Sequence, residues 1–226
     1  MPYTFAAHLR LGRQMETAMD TREHWQRVYE TKKPTEVSWY QTEARRSRSL
    51  IRNAVPDRSV AIIDVGGGAS TLVDDLLTDG YSNVTVLDVS SAALAHARDR
   101  LRDDAARVTW LEANILEVPL PVSTYDVWHD RAVFHFLTAA TDRQRYVQQV
   151  RSTVRVGGYV IVATFAADGP TRCSGLEVVR YAPDELHAQF GADFQLLESV
   201  REEHRTPTGA VQAFIYCICR VQGRAT

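Results

Sequence analysis

Short β-branched runs alternate with amphipathic stretches along the centre of the chain, and the two periodicities mark strands and helices in turn. Residues 60–65 form an apolar run with turn signals on both sides, the pattern of a parallel strand buried on both faces. Residues 84–87, 108–111, 125–128 and 159–165 predict four further strands. Between them, Leu72, Val73, Leu76 and Leu77 share a helical face that ends at Gly80. Leu94, Ala97 and Leu101 share another, behind Ser90 as N-cap. Thr141 with Gln144 predicts a capping box for a third helix, whose buried face is Tyr146, Val147, Val150 and Val154. Alternation of this kind predicts a doubly wound parallel sheet.

The flanks depart from the alternation. Trp25, Val28 and Tyr29 lie on one face of an amino-terminal helix that Lys32-Lys33-Pro34 ends, and Trp39 and Tyr40 follow in an extended segment. This aromatic stretch reads either as packing against the sheet or as a flap over a ligand. Residues 43–55 predict a second helix, with Leu50, Ile51 and Ala54 facing inward and its arginines on a solvated face. After a short helix at 183–190, residues 194–200 and 213–221 read as two adjacent strands with no helix between them, an antiparallel hairpin on the sheet edge. The fold class is therefore α/β: a doubly wound, mostly parallel seven-stranded sheet with a carboxy-terminal antiparallel hairpin. Residues 1–21 read as a flexible leader, and 22–226 as one domain whose residues 22–55 form an amino-terminal helical flap.

Composition narrows the function classes. A formal net charge of −2 on 226 residues argues against general nucleic-acid binding by phosphate attraction. No apolar run approaches the ~20 residues that span a bilayer, so no membrane association is expected. Residues 1–20 lack the apolar core of a signal peptide. Three cysteines, none at metal-ligand spacing with histidine, suggest no metal and a reducing, cytoplasmic setting. Cys217 and Cys219 alternate on one strand face and read as core.

The chemistry concentrates where the first strand runs into Asp64-Val65-Gly66-Gly67-Gly68. A strand, a glycine turn and a helix start make a ligand-binding corner at the carboxyl edge of an α/β sheet. Dinucleotides and S-adenosylmethionine (SAM) both use such a corner, with an acid at the end of the next strand. Here that acid is Asp88, 88 − 64 = 24 positions beyond Asp64. The dinucleotide fingerprint G-x-G-x-x-G would need glycine at position 71, which is Thr71.

Taken in order, residues 62–68, Leu87-Asp88-Val89-Ser90, Tyr125-Asp126-Val127-Trp128 and the closing hairpin resemble the class I, seven-strand SAM-dependent methyltransferases over residues 22–221. The resemblance implies a last strand inserted antiparallel and SAM as cofactor. It puts Gly66 and Gly68 at the methionine end, with Asp64 and Gly67 in the same corner. Asp88 falls on the ribose diol, Val89 on the adenine, and Asn114 with Ile115 around the adenine amine. Trp25 and Trp39 would cover the sulfonium. Asp130-Arg131-Ala132 is similar to the Asp-Lys-Gly run of seven-strand protein-lysine methyltransferases, with arginine and alanine departing from lysine and glycine. The methyl acceptor is accordingly a small molecule or a protein lysine, reached by in-line displacement.

For proton transfer, His129 and His135 are the catalytic candidates, and Asp130 is a SAM contact or a ligand of backbone amides. The loop 166–180, with Cys173, borders the expected acceptor pocket. The alternatives are a non-catalytic SAM-binding interaction protein and a Rossmann NAD(P) oxidoreductase.

Overall fold

The computed structural model describes residues 21–223. The leader expected over 1–21 lies outside them, except Thr21, which is already helical. Helix α1 covers residues 21–31, and α2 spans Arg45–Ala54. The alternating body runs β1 Ala61–Val65, α3 Leu72–Thr78, β2 Asn83–Asp88, α4 Ser91–Leu101, β3 Val108–Glu112, β4 Tyr125–Arg131, α5 Ala140–Thr153 and β5 Val154–Phe165. A two-stranded hairpin, β6 Arg172–Cys173 and β7 Leu176–Glu177, follows. Then come α6 Pro183–Ala188 and the long strands β8 Phe194–Arg205 and β9 Val211–Val221.

One seven-stranded sheet carries the fold, in the order β3-β2-β1-β4-β5-β9-β8. β1 pairs parallel with both β2 and β4, and every residue of β1 is buried, as its unbroken apolar run requires. β9 is inserted antiparallel between β5 and β8. The exposed edge strand β8 carries a bulge between Leu196 and Glu198, a common device against edge-to-edge pairing. Because chain order reverses between β2-β1 and β4, the carboxyl ends of these strands open into a crevice. Apolar clusters fill both faces of the sheet, one around Trp128, Phe134 and Tyr146, the other around Ile51, Leu76 and Phe165.

Three local expectations are corrected. α5 begins at Ala140, with Ala139 at the N-cap and no side-chain cap, so Thr141 and Gln144 form no capping box. Val154 opens β5 instead of closing the helix. Between β3 and β4, residues 113–124 form a loop. The arginines of α2 are not all solvated either. Arg48 grips Asp79 with two hydrogen bonds, at 2.8 and 2.6 Å, and Asp75 accepts the Ala44 amide at 2.8 Å. These contacts pin α2 to α3 and bring Ser47 over the sheet.

Candidate active site

Two cavities meet at the end of β1. The larger holds about 430 Å³ and runs from Gly66, Asp88 and Val89 past Asn114 and Ile115 on one side. On the other it reaches Trp25, Phe136, Arg131 and Cys173. The smaller, about 50 Å³, is lined by Asp64, Gly66, Gly67, Ser47, His129 and Arg131, among others. Gly66, Tyr29, Trp39 and Arg131 border both. The structure thus brings most of the expected cofactor residues together around two cavities that share walls.

The glycine corner depends on close approach. Gly66 sits at φ +69°, and both its amide and that of Gly67 donate to the Leu87 carbonyl, at 2.7 and 3.2 Å. Gly68 borders neither cavity. A Cβ there would run into the Asp88 carboxylate and come within 2.9 Å of the Ala93 Cβ. Its lack of a side chain leaves room for the Asp88 carboxylate.

Asp88 is buried at the end of β2, where its Oδ1 accepts the Ser90 amide at 2.9 Å. Burial, with the Asp64 charge as a smaller contribution, pushes its carboxyl up to about 7, against the Ser90 and Val89 amides, which lower it. Asn114 lies on the cavity wall, and its Oδ1 already accepts the Leu116 amide at 3.0 Å.

Under the smaller cavity runs a buried hydrogen-bonded chain. Asp64 Oδ1 meets His129 Nδ1 at 2.7 Å, and His129 Nε2 meets Ser47 Oγ at 2.8 Å. β1–β4 pairing sets Asp64 opposite His129, so strand register makes this contact. Asp64 Oδ2 is buried with no partner. Asp64 lines the smaller cavity, and a buried carboxylate oxygen without a partner calls for a cationic or N–H donor. The ammonium of the methionine end of SAM is such a donor, and the ribose diol is one for Asp88. The residues present fit the cofactor.

Two expected site residues sit elsewhere. Asp130 is fully buried, and both its oxygens are used inside the protein. Oδ1 accepts the Val133 amide at 2.9 Å, while Oδ2 accepts the Tyr146 hydroxyl at 2.5 Å and the Phe134 amide at 3.1 Å. It shapes the turn after β4 and borders neither cavity, so the backbone-amide alternative describes it. His135 is equally enclosed, between Phe136 and Phe165, and burial with the Arg131 charge pushes it down to about 3. A neutral imidazole with no face on either cavity cannot serve the acceptor as a base. His129 borders only the smaller cavity, behind Asp64.

The aromatic stretch lines the larger cavity with Trp25, Tyr29 and Trp39. Trp25 meets Trp39 and Phe136 edge-on at 5.6 and 5.1 Å, and Trp39 Nε1 donates to Tyr29 Oη at 3.1 Å. α1 is fastened at several points: Gln26 Oε1 accepts the Ala92 amide and the Ser90 hydroxyl at 3.2 and 3.0 Å, and Arg22 pairs with Glu112. Sequence reasoning did not single out Arg131, Ser47 or Phe136 as site residues. For Arg131 a signal existed: it closes a central parallel strand at the ligand edge.

Comparison with known proteins agrees with this geometry. Residues 62–158 match a family described as a methyltransferase domain. The human protein named EEF1A lysine methyltransferase 2 is 23% identical over 200 residues, covering 81% of this chain and 78% of that one. Among solved structures, the Burkholderia thailandensis 1,6-didemethyltoxoflavin-N1-methyltransferase, with its substrate and S-adenosylhomocysteine bound, superposes at a TM-score of 0.66. It is 18% identical and covers 99% of this chain and 91% of its own. A SAM-dependent methyltransferase from Anabaena variabilis superposes at 0.68 with 15% identity, covering 91% and 95%. At these identities the solved structures speak for the shared fold.

Proposed function

We infer that this chain, a class I SAM-dependent methyltransferase, delivers the methyl group to a small molecule enclosed beneath α1. The carrying observation is the cavity, partly covered by α1, that joins the glycine corner to an aromatic compartment. α1 and the β6–β7 hairpin wall that compartment, and His24 meets Ser174 at the hairpin tip at 3.3 Å. SAM supplies an activated methyl whose carbon–sulfur bond breaks as the acceptor's lone pair bonds the carbon, the sulfur keeping the pair. The protein's tasks are then to hold both partners in line and keep water out. Gly66 and Asp64 serve the methionine end, and Asp88, Val89 and Ile115 the adenosine. Trp25, Trp39 and Phe136 supply the dry wall, and aromatic faces favour a neighbouring sulfonium. The three free cysteines support a reducing cytoplasm as the setting.

A protein lysine is the second reading, favoured by the human lysine methyltransferase relative that aligns with most of the chain. Tritium transfer from methyl-labelled SAM into a cell extract, counted separately in protein and small-molecule fractions, decides between them. Label in the small-molecule fraction is the expected result, and label confined to protein overturns it.

The covering role of the aromatics has its own test. Trp39→Ala should weaken SAM binding by about tenfold, ~1.4 kcal/mol, because Trp39 borders both cavities. Trp25→Ala, bordering the larger alone, should lose less. Titration of SAM into each folded variant checks the order, and equal wild-type affinity in both would reduce the segment to ordinary packing.

A further inference from the structure

Arg131 is a buried cation with one end unsatisfied. Its side chain is only 9% exposed, and several elements fix it. Nε donates to Tyr216 Oη at 3.2 Å, Nη1 donates to the Trp39 carbonyl at 3.3 Å, and the guanidinium lies 4.1 Å over the Phe214 ring. Nη2 has no hydrogen-bond partner. The nearest carboxylate, Glu202, stands 3.7 Å away and accepts the Tyr216 hydroxyl. Held this firmly, and paired with Glu202 only at long range, the guanidinium places a positive charge on the walls of both cavities.

At the same end of the larger cavity the lining carboxylate is Glu177, at the rim. Trp25, Phe136, Leu176 and Cys173 are apolar wall. Burial pushes the Cys173 thiol up to about 12, so it contributes no charge. Glu177 is exposed at the rim, 3.9 Å from Arg172. The other cavity carboxylates, Asp88, Glu117 and Asp142, belong to the β2 end, the loop after β3 and the start of α5. An ammonium entering here would face the guanidinium and the sulfonium together.

We propose that Arg131 selects an acceptor that brings a negative charge into the cavity: a small thiol, phenol or carboxylic acid methylated as its anion. The step balances without a base from the protein. The acceptor leaves its proton to solvent on binding, its lone pair forms the new bond to the methyl carbon, and both partners depart neutral at that centre. This rests on the small-molecule reading above and adds the acceptor's charge to it.

The test uses aromatic probes of similar size on the full chain loaded with S-adenosylhomocysteine: benzoate, benzamide and benzylammonium, each titrated calorimetrically. Benzoate should bind about tenfold or more tighter than benzylammonium, with benzamide between them. Arg131→Gln should abolish the preference while SAM affinity stays within about threefold. Arg131→Lys should keep its sign, and circular dichroism verifies the fold of both. No benzoate binding up to ~10 mM, or a preference for benzylammonium, overturns the proposal. So does a loss of SAM affinity in Arg131→Gln as large as the loss for benzoate, which would assign the guanidinium to the cofactor's own carboxylate. Failure of the wild-type chain to bind SAM at all would instead strike the methyltransferase reading, so the two failures are separable.

Discussion

Gly68→Val should abolish measurable SAM binding, with affinity expected to fall by about 100-fold or more, ~2.7 kcal/mol, in a chain that still folds. The cause is indirect. A Cβ on Gly68 falls on the Asp88 carboxylate and crowds Ala93, and a branched side chain adds two more carbons to that collision. Asp88 cannot retreat freely, because its Oδ1 holds the Ser90 amide at the start of α4. The carboxylate must therefore leave the position from which it reaches the cavity. Gly68→Ala places the same first carbon there and should show a large part of the loss. SAM titration alongside a thermal transition is the measurement. A folded Gly68→Val with ordinary affinity would mean that Asp88 is not a cofactor contact, or that the corner is not the site.

That mechanism differs from what the glycines suggest on their own. Three successive glycines after a buried strand mark a ligand corner, and the reading of Gly66 and Gly68 as facing the ligand follows from spacing. Only the packed structure reveals that Gly66 borders the cavities while Gly68 is there for Asp88. The strands were legible because each is a β-branched run bounded by turn residues, and the central ones are buried on both faces. The carboxy-terminal pair was legible because no helix pattern lies between them. The start of α5 was not, since Thr141 and Gln144 mimic a capping box inside a helix that begins at Ala140. The β6–β7 hairpin was not either, because two-residue strands leave no periodicity to read.

The site was legible where a residue's position along a strand fixes its role, and obscure where tertiary contacts do. Asp88 at the end of β2 belongs to the first kind. His129, Asp130 and Arg131 are consecutive, yet they go to different fates: one braces Asp64, one ties the next turn to Tyr146, and one borders both cavities. Alternation along a strand sends neighbours to opposite faces, but their partners come from α2, α5 and β9, far away in sequence. No spacing rule names Ser47 or Tyr216 as those partners.

The second large effect is on pH. Burial raises the Asp88 carboxyl to about 7, so in the free protein it titrates across neutrality. Its folded value lies above the ~3.9 of an unfolded aspartate. The sign follows: its contribution to stability is fully present below pH ~4 and is lost as pH rises through about 7. The ligand-free chain should accordingly lose thermal stability over that window. Binding runs the other way. The ribose hydroxyls donate to an ionised carboxylate, so SAM favours the deprotonated form, and affinity should fall as pH drops below about 7. With one proton linked, the fall approaches about tenfold per pH unit, reaching roughly 100-fold by pH 5. Asp88→Asn keeps an oxygen for the Ser90 amide and removes the titration, so its SAM affinity should be lower at pH 8 and nearly flat down to pH 5. Asp130, raised to about 6, also titrates in this range but borders neither cavity, so it shifts stability in both proteins alike. Isothermal titration of SAM at several pH values, with wild type and Asp88→Asn side by side, measures the difference. Equal slopes in the two proteins would remove Asp88 from the binding equilibrium.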